Sequence, residues 1–261
     1  MKILLTGGAG YIGSNTAHKF IEQNFDVTII DNLITGKKEL IPKKSYFVHS
    51  DISDIKKIQN VFNNSKFDIV VHFAAFTRVG ESVQNPEKYY ENNYKKTKIF
   101  FDLCLKNGVK NFIFSSTGSV YGNVDEKNIL ENHKTLPINP YSKSKLMVEQ
   151  YLQDLHSKNS INTYILRYFN VAGADHSLRS GLTSNPDNLI KAICEYVVGS
   201  RRELIVNGDN FKTEDGTTIR DYIHVTDLAE MHYLASKCLI NNKKNEYEIF
   251  NCGYGVGYSI L

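Results

Sequence analysis

Short apolar runs alternate with longer stretches of helical spacing over most of the chain. Runs rich in Ile, Val, Phe, Leu or Tyr at 2–6, 27–31, 45–49, 68–73, 111–115 and 161–167 predict strands. Between them, Ala17, Phe20 and Ile21 share one face of a helix over 14–24. Tyr90, Tyr94, Ile99, Phe100 and Leu103 recur at helical intervals through 86–107, and Met147, Val148, Tyr151, Leu152 and Leu155 form a stripe through 141–157. Such alternation predicts an α/β fold, a doubly wound parallel sheet with helices on both faces. The pattern changes after about residue 168. The stretch 170–187 is rich in Gly, Ser, Asn and Asp. The reading then predicts a helix over 187–199, a strand near 203–207, a polar loop over 207–218, a helix over 226–240 and a strand over 247–252. The last run, 253–261, reads as a turn leading toward a further helix.

Composition narrows the class without deciding it. The chain has 261 residues, 41% hydrophobic and 23% charged, as ordinary globular domains do. Its 31 basic and 28 acidic side chains leave a net charge of +3, too mild to imply a nucleic-acid or membrane partner. Cys104, Cys194, Cys238 and Cys252 form no Cys-x-x-Cys pair, so neither zinc nor a redox dithiol is suggested. No signal peptide is recognisable, and no run approaches the roughly 20 apolar residues of a transmembrane helix. These features predict a reduced, cytoplasmic protein with free thiols and no metal.

The run GGAGYIG at 7–13 follows the first strand and opens the first helix. Gly7, Gly10 and Gly13 let the chain turn tightly, approach a pyrophosphate, and pack helix on strand, with the phosphates at a helix N-terminus. A glycine triplet alone is also met in plain turns. Here Asp31 follows at the end of the second strand, where a carboxylate hydrogen-bonds a ribose 2′-OH and repels a 2′-phosphate. The sheet is therefore expected to be of Rossmann type, with NAD favoured over NADP. Asp51-Ile52 after the third strand and Phe73-Ala74-Ala75 after the fourth suit a bound dinucleotide, although each could equally be packing.

Tyr141 and Lys145 open the helix with the clearest stripe and share one face of it. A free tyrosine is a poor base at neutral pH. A neighbouring ammonium and a cationic nicotinamide both favour its phenolate, making it a plausible proton acceptor. A Tyr-x-x-x-Lys pair also arises by chance in a chain with 16 tyrosines. The hydroxyl run Ser115-Ser116-Thr117 at the end of the fifth strand, on the ligand side of such a sheet, makes the pair more specific.

Together, GGAGYIGS at 7–14, FAAFTRVGES at 73–82, YYENN at 89–93, SSTGSVYG at 115–122, NPYSKSK at 139–145, LRYFNVAGA at 166–174 and EDGTTIRDYIHV at 214–225 resemble the UDP-glucose 4-epimerase family of the extended short-chain dehydrogenase/reductase superfamily. The resemblance spans essentially the whole chain. It implies an NAD-binding Rossmann domain over 1–168 and a smaller C-terminal α/β substrate-binding region over 169–261, intertwined with the first. That region is expected to be incomplete at its C-terminal end, where further sugar-nucleotide contacts arise in the family. By matching position, cofactor contacts fall on Tyr11, Ile12, Asp31, Asn32, Asp51, Ile52, Phe73, Ala74, Ala75, Asn92, Tyr141, Lys145 and Tyr168. The catalytic hydroxyl falls on Thr117, and substrate contacts on Thr117, Asn170, Asn188, Leu189 and Arg220. Thr77 departs from the family, which often has a basic residue there. The implied reaction inverts C4 of a UDP-sugar through a 4-keto intermediate, with Tyr141 as proton acceptor. Epimerases of other nucleotide sugars and a non-catalytic NAD-binding protein remain alternatives. Nucleotide-sugar 4,6-dehydratases carry an Asp-Glu pair after the catalytic hydroxyl, where this chain has Gly118-Ser119. The resemblance also implies a homodimer joined through helices 86–107 and 141–157.

Overall fold

Five of the first six apolar runs become strands buried on both faces, and the third pairs with them as a half-exposed edge strand. The computed structural model describes residues 1–124, 126, 128–159, 161–183, 188–241 and 245–261. Strands β1 (Lys2–Thr6), β2 (Asp26–Asp31), β3 (Tyr46–His49), β4 (Ile69–His72), β5 (Asn111–Thr117) and β6 (Asn162–Tyr168) alternate with helices α1 (Tyr11–Glu22), α2 (Ile55–Asn64), α3 (Val79–Gln84), α4 (Pro86–Tyr89), α5 (Lys96–Lys106) and α6 (Pro140–Asn159). A short β7 (Asn170–Ala172) follows, then α7 (Leu189–Val197), β8 (Arg220–His224), α8 (Val225–Asn241), β9 (Tyr247–Cys252) and β10 (Gly257–Tyr258). The main sheet has seven strands in the order β3-β2-β1-β4-β5-β6-β9, all parallel.

Alternate residues of each strand feed two cores. Leu4, Val70, Phe112 and Phe114 pack with α2, α5 and α6 on one face. Ile3, Leu5, Ile69, Val71 and Ile113 pack with α1 and α8 on the other. This is why the strands read as continuous apolar runs rather than as alternating ones. Strand order reverses between β1 and β4, which opens a crevice at the carboxyl ends of the strands.

Two expectations need correction. The helix over 86–107 is interrupted by a π-helical turn at Tyr90–Lys95, between α4 and α5. Residues 203–207 form no strand: Ile205 is 70% exposed, and no neighbouring backbone pairs with the segment among the described residues. Apolar composition cannot make a strand without a hydrogen-bonding partner. The second sheet, in the order β10-β8-β7, forms instead from short polar segments without an apolar pattern. In addition, α8 and β9 return to the main sheet, so the 169–261 region contributes to the first core as well as to the small sheet. The N-terminal residue of the expected helix 187–199 lies outside the described residues.

Candidate active site

A cleft of about 810 Å³ lies along the crevice between the two sheets. Its floor is backbone. Gly7 has φ +71, and a Cβ there would lie 2.7 Å from the Ala74 nitrogen. A Cβ on Gly13 would lie 2.3 Å from the Gly7 carbonyl oxygen. These glycines thus let the β1 turn, the start of α1 and the end of β4 meet main chain to main chain. No side chain caps the N-terminus of α1, and Gly10, Tyr11, Ile12 and Gly13 line the cleft. The helix therefore presents its free amides and positive dipole end to the cleft, as a pyrophosphate requires.

Asp31 is buried at the end of β2, where its two oxygens accept the Ala9 and Leu33 amides at 2.9 and 2.8 Å. Burial pushes its pKa up while these amides pull it down. Each oxygen keeps a lone pair for a ribose hydroxyl. Asp51 accepts from Lys96 at 2.9 Å and from Asn32 at 3.1 Å. Burial opposes its ionisation, but Lys96, Ser53 and Asn32 together hold its pKa at about 2. The uncapped helix end, the small-residue floor and the buried strand-end carboxylate fit a dinucleotide.

At the other end, Ser115 and Thr117 of β5 line the cleft, as do Tyr141 and Lys145 of α6. Thr117 stands beside Tyr141 in the cleft and favours its ionised form. The Lys145 ammonium donates to the Ser115 carbonyl at 2.6 Å and lies 4.7 Å from the centre of the Phe114 ring. The Tyr168 hydroxyl donates to Ser115 Oγ. Burial pushes Tyr141 up to about 12, with Thr117 opposing it. Burial also brings Lys145 down to about 7, against the pull of Glu149. In the protein alone burial outweighs any effect of the lysine on the tyrosine, since it disfavours the charged form of each group.

Asn92 stands in the π-helical turn and donates to Asn93 Oδ1 at 3.0 Å. Asn93 accepts the Phe76 amide at 2.8 Å and donates to its carbonyl at 2.9 Å. The widened helix thus clamps the loop after β4 against the cleft, a role the periodicity of 86–107 conceals. Tyr11 reaches across to the Gly173 carbonyl at 2.6 Å and ties α1 to the loop after β7.

On the substrate side, Asn170 and Asn188 line the cleft, Asn188 also capping α7 through the Lys191 amide at 3.0 Å. Leu189 and Arg220 are not in its wall. Leu189 is the half-buried first residue of α7, and Arg220 is exposed at the start of β8. Asp221, next to Arg220 in β8, holds the Tyr254 and Gly255 amides at 3.0 and 2.8 Å. The remaining expected cofactor and substrate residues all line the cleft. Thr77 does too, beside Arg78, Glu81 and Lys88, which residue-by-residue reading did not single out although Arg78 and Glu81 lie in the 73–82 run. Among the described residues no helix is long and apolar enough to cross a membrane.

The sequence profile of the NAD dependent epimerase/dehydratase family matches residues 3–253. The UDP-glucose 4-epimerase of Azospirillum brasilense is 42% identical over 261 residues, covering 99% of this chain and 74% of the relative. The UDP-arabinose 4-epimerase 1 of Arabidopsis thaliana is 39% identical, covering 99% of this chain and 64% of the relative. The crystal structure of UDP-glucose 4-epimerase from Bifidobacterium longum in complex with NAD+ and UDP superposes with a TM-score of 0.93 at 36% identity, covering 100% of this chain and 80% of that one.

Proposed function

The chain belongs to the NAD dependent epimerase/dehydratase family, and on that premise we propose that it interconverts UDP-glucose and UDP-galactose by transient oxidation at C4 of the sugar. The observation that carries this reading is the convergence of Thr117, Tyr141 and Lys145 on the same cleft as the glycine-lined helix end. Tyr141 takes the proton of the 4-hydroxyl and later returns it to the 4-keto oxygen. Thr117, beside Tyr141 in the cleft, orients that oxygen. Lys145 steadies the strand end through the Ser115 carbonyl and faces the nicotinamide ribose. Bound NAD+ supplies the hydride acceptor for C4 and a positive charge that favours the Tyr141 phenolate. Asn170 and Asn188 line the cleft from the small-sheet side, where the UDP-sugar would lie, and Tyr168 lines it from the end of β6, where the cofactor would lie.

Gly118 weighs against a dehydratase. A Cβ there would lie 2.6 Å from the Phe169 ring, so an acidic side chain at this position would require that ring to move. The UDP-arabinose 4-epimerase among the relatives keeps other UDP-sugars as alternative substrates. Purified protein given UDP-galactose should form UDP-glucose, and Tyr141→Phe should lower turnover by about 10²–10⁴-fold while NAD stays bound. Near-normal activity of Tyr141→Phe, or no conversion by the wild type, sinks the reading. UDP-N-acetylglucosamine assayed alongside reads the sugar range.

Three finer points belong to the same reading. The substrate-binding region is 169–224 with 253–261, because β9 belongs to the main sheet and α8 packs against it. A homodimer forms through α5 and α6, within the stretches 86–107 and 141–157, where Ile99 lies exposed. Light scattering should then give twice the chain mass. The four free cysteines suit a reducing, cytoplasmic location.

A further inference from the structure

Tyr141, Lys145 and Glu149 stand at intervals of four on one face of α6, and each meets a successive part of the end of β5. Tyr141 meets the Thr117 hydroxyl, Lys145 the Ser115 carbonyl, and Glu149 the Ser116 hydroxyl, which donates to its Oε1. Ser115 and Thr117 face the cleft, so Ser116 between them faces away and is held from behind. Glu149 is itself fixed. Arg167 Nε donates to its Oε1 at 3.1 Å and Nη2 to its Oε2 at 2.5 Å, with both side chains under 5% exposed. Arg167 Nη1 donates to the Tyr121 hydroxyl at 2.8 Å, and Tyr121 donates to Asn251 at 2.7 Å. The cation of the site, by contrast, has a neutral acceptor. Lys145 bonds a carbonyl, lies over the Phe114 ring, shares the cleft wall with Tyr141 and Tyr168, and has the buried His72 nearby.

Building on the proposed function, we infer that Glu149 is a positioning residue: through Ser116 it holds the end of β5 in register with Tyr141 and Lys145, and through its charge it keeps Lys145 protonated. Buried without a counter-charge, an ammonium releases its proton readily. Glu149 is the carboxylate that opposes this in Lys145, whose pKa lies at about 7 even with that help. The other charged or titratable groups against Glu149 are Arg167 and Tyr247, whose hydroxyl donates to the Glu149 carbonyl at 3.3 Å. A rival role, that Glu149 only neutralises Arg167, predicts a different outcome when both charges are removed.

The test is a pH titration of Lys145 in full-length protein labelled with 13C-lysine, its resonance identified by loss in Lys145→Met. In Glu149→Gln the midpoint should fall by about one pH unit, a tenfold loss of ammonium at a fixed alkaline pH. The alkaline limb of kcat for UDP-galactose should fall with it, with KM unchanged. Glu149→Met combined with Arg167→Met removes both charges at similar volume. It should regain thermal stability yet keep the lowered midpoint, and it decides the matter if Glu149→Gln does not fold. A wild-type Lys145 midpoint in the double variant, with activity restored, overturns the inference. The titration is read without turnover, so a wild type that fails to convert UDP-galactose overturns the proposed reaction and leaves this measurement standing.

Discussion

The two ends of the cleft each carry a carboxylate–cation pair, and the pairs differ chiefly in water. At the adenosine end, Asp51 and Lys96 are each 27% exposed, on a site whose floor is backbone. At the reacting end, Glu149 and Arg167 are almost wholly buried behind a wall of side chains. A rim pair competes with water, gains little, and can give up a partner to a ligand. An interior pair cannot, since removing either member leaves a bare charge in a poor solvent. One end is therefore suited to exchanging contacts with a cofactor, the other to holding a fixed geometry.

Breaking the interior pair is the strongest test of this contrast. Glu149→Ala should cost about 3–5 kcal/mol of stability in urea unfolding, because it strands Arg167. A loss no greater than that of a rim substitution would erase the distinction. The backbone-built end should break by addition rather than removal. Gly13→Ala places a methyl 2.3 Å from the Gly7 carbonyl oxygen. We expect a cost of about 1–3 kcal/mol from the forced shift, with NAD binding weakened in calorimetry; unchanged affinity would mean that the turn is not the pyrophosphate seat. The smallest effect is expected at the rim. Lys96→Met should cost at most about 1 kcal/mol. Its pH signature has a definite sign. Asp51 is held at about 2, below its unfolded value, so its contribution is full above the ordinary carboxylate pKa and fades as pH falls from about 4 toward 2. In Lys96→Met this acid-side loss should shrink in thermal melts across that range.

Legibility followed the source of each element's stability. Strands such as Ile69–His72 and Asn111–Thr117 could be read because burial on both faces forces a continuous apolar run. The glycine turn could be read because its steric need is local. The strand expected at 203–207 failed for the opposite reason: its residues are apolar, but nothing pairs with them among the described residues. Asn170–Ala172 and Arg220–His224 escaped notice because pairing alone, without an apolar pattern, makes them strands. The π-helical turn at Tyr90–Lys95 was invisible because one extra residue per turn barely perturbs a helical stripe. Arg220 was placed by resemblance, and it stands exposed at the start of β8, outside the residues that line the cleft.

The sequence by itself determined the order of strands and helices in the main sheet, the helix end open to phosphates, the carboxylate at the end of β2, and the four-residue spacing of Tyr141 and Lys145. These depend on local periodicity and on the steric needs of single residues, which a linear chain displays. Tertiary structure alone decided the charge states at the reacting end. Tyr141 rises and Lys145 falls because the fold takes water from both. Ser116 and Arg167, which hold Glu149, come from strands 33 and 18 residues away along the chain. No spacing rule reports that three remote groups will share one dry pocket, and it is that dryness which makes their charges matter.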